Sequence, residues 1–520
     1  MDTLKALQQR FNRAVSIYKP RHSPLATPVQ AWSKALLTEL LQSEVNDTDR
    51  IWEVLERARL GLATLNAQLP SDWETKLGTA LWSALRTSID QLRSGYVPAE
   101  YEPWQPLEIW RFQLNEWLGT HPPSVAICQD HLAPKEALVQ LFFDPTRQRL
   151  RVLWLDKHQL ELRDLADECA ISQQWGNQAT TDSVMANWAR GLEILRRPQM
   201  QRGGSQQHDW EQVMRSVPVV QLAKTLQEWG SELEQLTVIF PAALGQLPWE
   251  ALSQLEEGLE EFDKLLVREV SLAHWLNCSV EADVPEKKNW VVCDPSGELQ
   301  CMVKEGHWVA KQLNTTLDSP CAWVSDALSW FTASSIAHLS THGYFDPKSP
   351  TNSFLSLKQG QTLPLWTLTA IQTSAELVML SACESNLTGQ DAEEILTPIG
   401  IGPTIAAAGA KTVVGTLWSC NGIAALCFTY HFYQIAQQNK TMPWHQVAAQ
   451  ARLTLKNMTN RDLVKLKANF KFDQTEDLCD DQIEIREIDA FRYQERPFER
   501  FSMWGGFVML GRSQRQFGQP

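Results

Sequence analysis

Hydrophobic and polar positions follow two rhythms along the chain. Over roughly the first 120 residues, apolar side chains recur every three or four positions: Leu4, Leu7, Phe11 and Val15, then Trp52, Leu55, Ala58 and Leu62. That spacing lines one face of a helix. Asn46 to Asp49 ahead of Ile51, and Ser71-Asp72 ahead of Trp73, supply the polar side chains that start helices. Beyond the proline-rich piece Tyr96 to Pro106 the rhythm changes. Short apolar runs follow at 137–143, 149–155, 236–240, 289–293, 335–340, 376–382 and 411–418, with helical stretches between them, the longest at Asp182 to Arg197. Runs this short, separated by helical patterns, predict strands of a largely parallel α/β sheet.

Composition narrows the picture. A chain of 520 residues that is 43% hydrophobic holds enough apolar material for several packed domains. The 47 basic and 61 acidic residues leave a net charge of −14, which argues against a general nucleic-acid binder. The ten cysteines are scattered with no C-x-x-C pair, so no zinc ribbon or thioredoxin-type site is expected. The N-terminus lacks the apolar core of a signal peptide, and the expected compartment is the reducing cytoplasm. Thr412 to Asn439 carries no Asp, Glu, Lys or Arg, yet Ser419, Asn421, His431 and Gln434 interrupt it. It reads as buried core, and no membrane span is expected.

Seven tryptophans fall in the N-terminal part: Trp32, Trp52, Trp73, Trp82, Trp104, Trp110 and Trp117. They fit a helical core layer or a partner-docking surface. No 34-residue repeat is found. Gln201 to His208 reads as a linker, and Leu463 to Glu495 as a charged, irregular inserted segment.

The reactive residues cluster at strand ends. The run 335–340 leads into Thr341-His342-Gly343, the run 376–382 into Cys383-Glu384-Ser385, and the run 411–418 into Ser419-Cys420-Asn421. Sites in open α/β sheets form beyond the carboxyl ends of strands. If their strands are neighbours, His342 and Cys383 meet. A thiolate then attacks a carbonyl, and the imidazole takes the thiol proton and protonates the leaving amine. The N–H groups of Gly343 and Cys383 are candidate oxyanion donors. Ser381, Ser385 and Asn386 are candidate hydrogen-bond donors near the thiol. Asp391, Glu393 and Glu394 suit a helix N-terminus, or a pocket for a basic substrate residue. His338 and His342 are four apart, but on a strand that spacing does not bring metal ligands together. His338, Cys293, Cys420 and Cys427 read as structural, with Cys420 and Cys427 as buried small hydrophobes. Gly400, Gly402 and Gly409 read as close packing of a helix on the sheet. This chemistry needs no metal and no cofactor, and none is expected.

SIAHLSTHGYFD (335–346) followed by VMLSACES (378–385) resembles the active-site pair of CHAT-family peptidases, caspase-like cysteine proteases of the clan of separases, caspases and clostripain. PAALGQLPWEAL (241–252), DAEEILTPIGIGPTIAAAGAKTVVGTLW (391–418) and FSMWGGFVMLG (501–511) resemble further motifs of that family. The resemblance spans about 135 to 515 and implies a caspase-like, largely parallel sheet flanked by helices. It implies Cys383 as nucleophile, His342 as general base and acid, and Gly343 in the oxyanion hole. Glu394 matches an acidic position that recurs in the family. The family often carries an acid after the LW of its last strand, where this chain has Ser419-Cys420-Asn421, so Asn421 becomes a pocket candidate. The implied organisation is a helical domain at 1–125, a degenerate caspase-like half at 130–285 and a catalytic half at 286–515, with the insertion at 463–495. The implied activity is cleavage of a protein or peptide substrate in bacterial signalling or defence, latent until triggered, with a regulatory protein partner engaging the N-terminal domain. The alternatives are a silent scaffold that keeps the fold, or a thiol acyltransferase or amidase using the same pair.

Overall fold

A computed structural model describes residues 41, 48–63, 123–144, 149–165, 213–241, 244–279, 288–293, 300–315, 327, 331, 334–346, 353–357, 362–368, 373, 375–388, 400–470 and 495–512. In the N-terminal part it shows helix α1 (Thr48–Ala63), which begins inside the predicted Asn46–Asp49 start. Ile51, Trp52, Val54 and Leu55 are buried, and the Trp52 indole donates to the Pro123 carbonyl at 3.1 Å. The other six N-terminal tryptophans, the Asp182–Arg197 helix and the 201–208 linker lie outside the described residues.

Helix α2 (Val125–His131) leads into a five-stranded sheet. Its strands are β1 (Glu136–Asp144), β2 (Arg149–Leu155), β3 (Leu160–Asp164), β4 (Gln235–Ile239) and β5 (Leu266–Glu269), in the order β3-β2-β1-β4-β5. β1, β4 and β5 run parallel, while β2 and β3 are antiparallel additions at one edge. Helix α3 (Val217–Trp229) precedes β4, and α4 (Leu272–Ser279) follows β5.

A second sheet carries the reactive strand ends. It comprises β6 (Lys288–Cys293), β7 (Ser334–Ser340), β11 (Leu377–Ser381), β12 (Val413–Thr416) and β13 (Phe507–Leu510), in the order β13-β12-β11-β7-β6. The first four are parallel and β13 is antiparallel to β12. Parallel strands are covered on both faces, which explains why VVC, LVML and VVGT are almost uninterrupted apolar runs. Helix α5 (Gln300–Gln312) joins β6 to β7, and α6 (Ile401–Ala407) joins β11 to β12. After β12 come α7 (Gly422–Gln438), α8 (Trp444–Asn457) and α9 (Asn460–Phe470). Between β7 and β11 a small antiparallel sheet is formed by β8 (Gly343–Tyr344), β9 (Phe354–Ser356) and β10 (Thr362–Pro364).

The two larger sheets meet edge to edge. The Gly511 N–H, just beyond β13, donates to the Arg268 carbonyl of β5 at 2.8 Å. Buried ion pairs fasten the junction: Arg512 with Glu136 at 2.6 Å, and Arg452 of α8 with Asp263. Burial holds the Asp263 carboxyl up at about 6, although Arg452 beside it favours the charged form. The predicted α/β class therefore holds, with two mostly parallel sheets flanked by helices.

One expectation is corrected. The segment expected to be irregular from Leu463 starts as a helix, because α9 runs to Phe470. Its apolar Leu463, Leu466 and Phe470 recur at helical spacing and are buried. Thr459 Oγ1 and Asp462 close its first turn. Residues 471–494 are not among those described.

Candidate active site

The register of β7 and β11 assembles the site. Ser340 pairs with Ser381 as the last partners of a parallel ladder, and the Thr341 N–H still donates to the Ser381 carbonyl at 3.2 Å. His342 and Cys383 each follow two residues beyond these partners, at the carboxyl ends of neighbouring strands. Both residues are partly exposed. Gly343 lies hard against the Cys383 backbone: a Cβ there would sit 2.2 Å from the Cys383 carbonyl oxygen and 3.4 Å from the Ala382 Cβ. No side chain fits at 343 without moving Cys383.

The turn after Cys383 is held on every side. Glu384 adopts a left-handed φ of 57°, which a non-glycine residue takes only at a cost. The Asn386 N–H donates to the Thr416 carbonyl at 2.8 Å, and the Asn386 side chain donates to the Val508 carbonyl at 3.2 Å. Ser385 Oγ accepts the Thr416 N–H at 3.0 Å, and the Thr416 hydroxyl donates to the Ala382 carbonyl at 2.8 Å. Ser385 and Asn386 therefore anchor the turn rather than face the thiol. Gly400 and Gly402 approach this same turn: a Cβ at 402 would meet Asn386 Oδ1 at 1.7 Å, and one at 400 the Leu387 carbonyl at 1.9 Å. These glycines serve the nucleophile turn, not helix packing on the sheet.

Ser419, just past β12, donates to Cys383 Sγ at 3.2 Å. Burial pushes the Cys383 thiol above its ordinary value. The Ser419 hydroxyl and the Cys420 N–H pull it back down, and the nearby Glu384 charge pushes it up again. Neither Ser419 nor Glu384 was singled out from the sequence as part of the site. Ser419 was legible only as a polar residue at a strand end. Cys420, expected to be buried, is partly exposed beside Cys383, because it lies on the turn between β12 and α7; Cys427, inside α7, is buried as expected. Of the pocket candidates, Ser381 is buried on β11. Asn421 is the N-cap of α7, its Oδ1 accepting the Ile423 and Ala424 N–H groups at 3.0 and 3.1 Å. Asp391, Glu393 and Glu394 lie outside the described residues.

Behind the pair, His338 is fully buried and Nε2 meets Glu305 Oε1 of α5 at 3.0 Å. Thr429 donates to the same carboxylate at 3.3 Å. His338 is thus a satisfied interior histidine that ties β7 to its covering helices.

Residues 213–512 match the CHAT domain family, more than half of the chain. The chain belongs to that family. No curated protein matches it by sequence. Among solved structures, it is similar to a chain of the Saccharomyces cerevisiae separase–securin complex at 8% identity and a TM-score of 0.46, covering 86% of this chain and 39% of that one. It is also similar to the Arg-specific cysteine proteinase gingipain R at 9% identity and a TM-score of 0.38, covering 65% and 75%. Another match is the complex of Porphyromonas gingivalis RgpB pro- and mature domains, at 9% identity and 0.37, covering 58% and 69%. The chain therefore spans well under half of the separase chain. Among the described residues, no helix is long and apolar enough to cross a membrane.

The matched region takes in β4 and β5 of the first sheet, and residues around them reach toward the second sheet. Arg268 of β5 gathers the 241–252 segment by binding Glu250 at 2.5 and 2.6 Å, the Gly245 carbonyl at 2.7 Å, and the Leu247 carbonyl. From that segment, Gln246 donates to the Thr388 carbonyl at 3.0 Å, reaching the nucleophile turn. Cys278 of α4 has His274 as its neighbour one turn earlier on the same helix, with Sγ 3.5 Å from Nε2. Glu269, His274 and Cys278 bring three metal-ligating types together. Both ring nitrogens are already engaged, Nδ1 with Glu269 and Nε2 with the Ala410 carbonyl at 2.7 Å. Two acceptors call for a doubly protonated ring. Burial opposes that charge, but Cys278 and Glu269 outweigh it and hold His274 well above its usual range. The cluster is a charged clamp between the two sheets.

Proposed function

We propose that this CHAT protein is a cysteine endopeptidase in which Cys383 is the nucleophile and His342 the general base and acid. The observation that supports the reading is the β7–β11 register, in which Ser340 pairs with Ser381 two residues before His342 and Cys383, with Gly343 packed on the Cys383 backbone. The Cys383 sulfur attacks the peptide carbonyl while His342 takes the thiol proton. The oxyanion is held by the N–H groups of Gly343 and Cys383. The C–N bond then breaks, and His342 passes its proton to the leaving amine. Water, deprotonated by His342, hydrolyses the thioester and returns the thiol and a carboxylate.

The 130–285 region acts in this reading as a non-catalytic half that braces the 286–515 half. A raised Cys383 thiol fits a protease at rest, engaged by a regulatory partner through the 1–125 region, in cytoplasmic signalling or defence. The test is N-terminal peptide sequencing of a cell lysate exposed to wild-type protein or to Cys383→Ala. New termini only with wild type support the endopeptidase. Identical termini in both samples, also after the proteins encoded beside it are added, leave the scaffold reading in its place, and products capped by an acceptor other than water point to acyl transfer.

A further inference from the structure

We infer that Tyr344 and Phe354 form a subsite for a large apolar or aromatic side chain in the first two substrate positions after the cut. The inference rests on the endopeptidase reading above. Tyr344 is 49% exposed, unusual for an aromatic side chain so near a candidate nucleophile. It pairs across the β8–β9 ladder with Phe354, the rings stacked at 5.1 Å and 29°. The ladder extends one step toward the site, because the Ser356 N–H donates to the His342 carbonyl at 2.8 Å.

Alternation along these strands sorts the faces. Thr341, Phe345, Ser353, Leu355 and Leu357 are buried, whereas His342, Tyr344, Phe354 and Ser356 are partly or well exposed. His342 and the aromatic pair therefore share one open face, two residues apart, or about 7 Å. An extended substrate covers that distance in about two residues.

The sheet order decides which half of the substrate this face meets. Cys383 follows the central strand β11; Ser419 follows β12 on one side, and His342 follows β7 on the other. The group that protonates the leaving amine stands on the leaving-group side. Tyr344 and Phe354 continue from His342 on that same side. Among the described residues β8 pairs with β9 alone and sits at the edge of its sheet, so the arriving segment runs beside it. An aromatic pair offers such a segment apolar area and ring stacking with no charge to satisfy.

The experiment is terminal sequencing of a lysate cut by wild type, Tyr344→Ala, Tyr344→Leu and Phe354→Ala. New N-termini report directly the residues that followed each cut. Wild-type termini are expected to be enriched in Phe, Tyr, Leu and Met at the first two positions. Tyr344→Ala and Phe354→Ala lose that enrichment and cut such sites about tenfold more slowly, whereas Tyr344→Leu keeps part of it. Alkylation of Cys383 by iodoacetamide, which has no leaving-group segment, proceeds at the wild-type rate in all three and shows that the site is folded. Wild-type cuts with no such enrichment, or enrichment that survives in Tyr344→Ala, overturn the subsite and leave the peptidase standing. A wild-type protein that alkylates at Cys383 yet cuts no protein, also after the proteins encoded beside it are added, overturns the peptidase, and the subsite falls with it.

Discussion

Ser419→Ala isolates the hydrogen bond that most directly sets the state of the nucleophile. In the native protein the Ser419 hydroxyl donates to Cys383 Sγ at 3.2 Å, opposing the upward push that burial exerts on the thiol. A hydrogen bond to a charged acceptor contributes about 1.5–3 kcal/mol. Ser419 is partly exposed, so water replaces some of the lost bond and the low end applies. About 1.5 kcal/mol corresponds to roughly one further pKa unit. Below the pKa, each unit costs a factor of ten in thiolate, and only the thiolate reacts with iodoacetamide. The expected result is a pH–rate profile for Cys383 alkylation shifted about one unit to higher pH, with about tenfold slower reaction at neutral pH. Cys383 is followed by peptide mass spectrometry, which separates it from Cys420 and the buried thiols. Thermal unfolding of the variant is expected to match wild type, because Ser419 fills no core position. A profile that stays in place, or moves to lower pH, refutes the claim that this hydroxyl steadies the thiolate.

Gly343→Ala is expected to keep a cooperative thermal transition and to lose about a hundredfold in peptide hydrolysis. Its Cβ, placed 2.2 Å from the Cys383 carbonyl, must displace the nucleophile or the oxyanion donors; wild-type turnover would contradict that placement. His445 governs an acid transition. Burial holds its imidazole down at about 4, while Nε2 lies 3.1 Å from the Lys264 carbonyl. A histidine whose folded pKa lies below the unfolded value of about 6.5 contributes stability that is complete above pH 6.5 and lost as pH falls toward 4. The loss amounts to about 3 kcal/mol at pH 4. Urea unfolding of wild type and His445→Gln from pH 8 to 4 is expected to show a steeper acid decline in wild type, and parallel declines would refute the assignment.

The second sheet was legible because its chemistry coincides with its pattern. Strands buried on both faces read as apolar runs, and a polar residue ending such a run must stand at the sheet's rim, as His342, Cys383 and Ser419 do. What the pattern lacked was adjacency: only the register of Ser340 with Ser381 turns two strand ends into a pair. β8, β9 and β10 were missed because two or three residues carry no period, yet they present Tyr344 and Phe354 beside His342. The buried clamps were also hidden. Glu136 with Arg512 and Asp263 with Arg452 look like ordinary surface charge until distant segments meet. A lone buried charge of this kind would destabilise the fold, so each must be matched across the chain. Glu136–Arg512, Asp263–Arg452 and the His274–Ala410 contact join the first sheet's elements to those of the second. Gln246 reaches further, to the carbonyl of Thr388 on the nucleophile turn. Its neighbours Gly245, Leu247 and Glu250 are bound by Arg268 of β5. Two short links therefore connect β5 to Thr388. The first sheet's elements thus reach the turn that follows Cys383 as well as the edge of the second sheet.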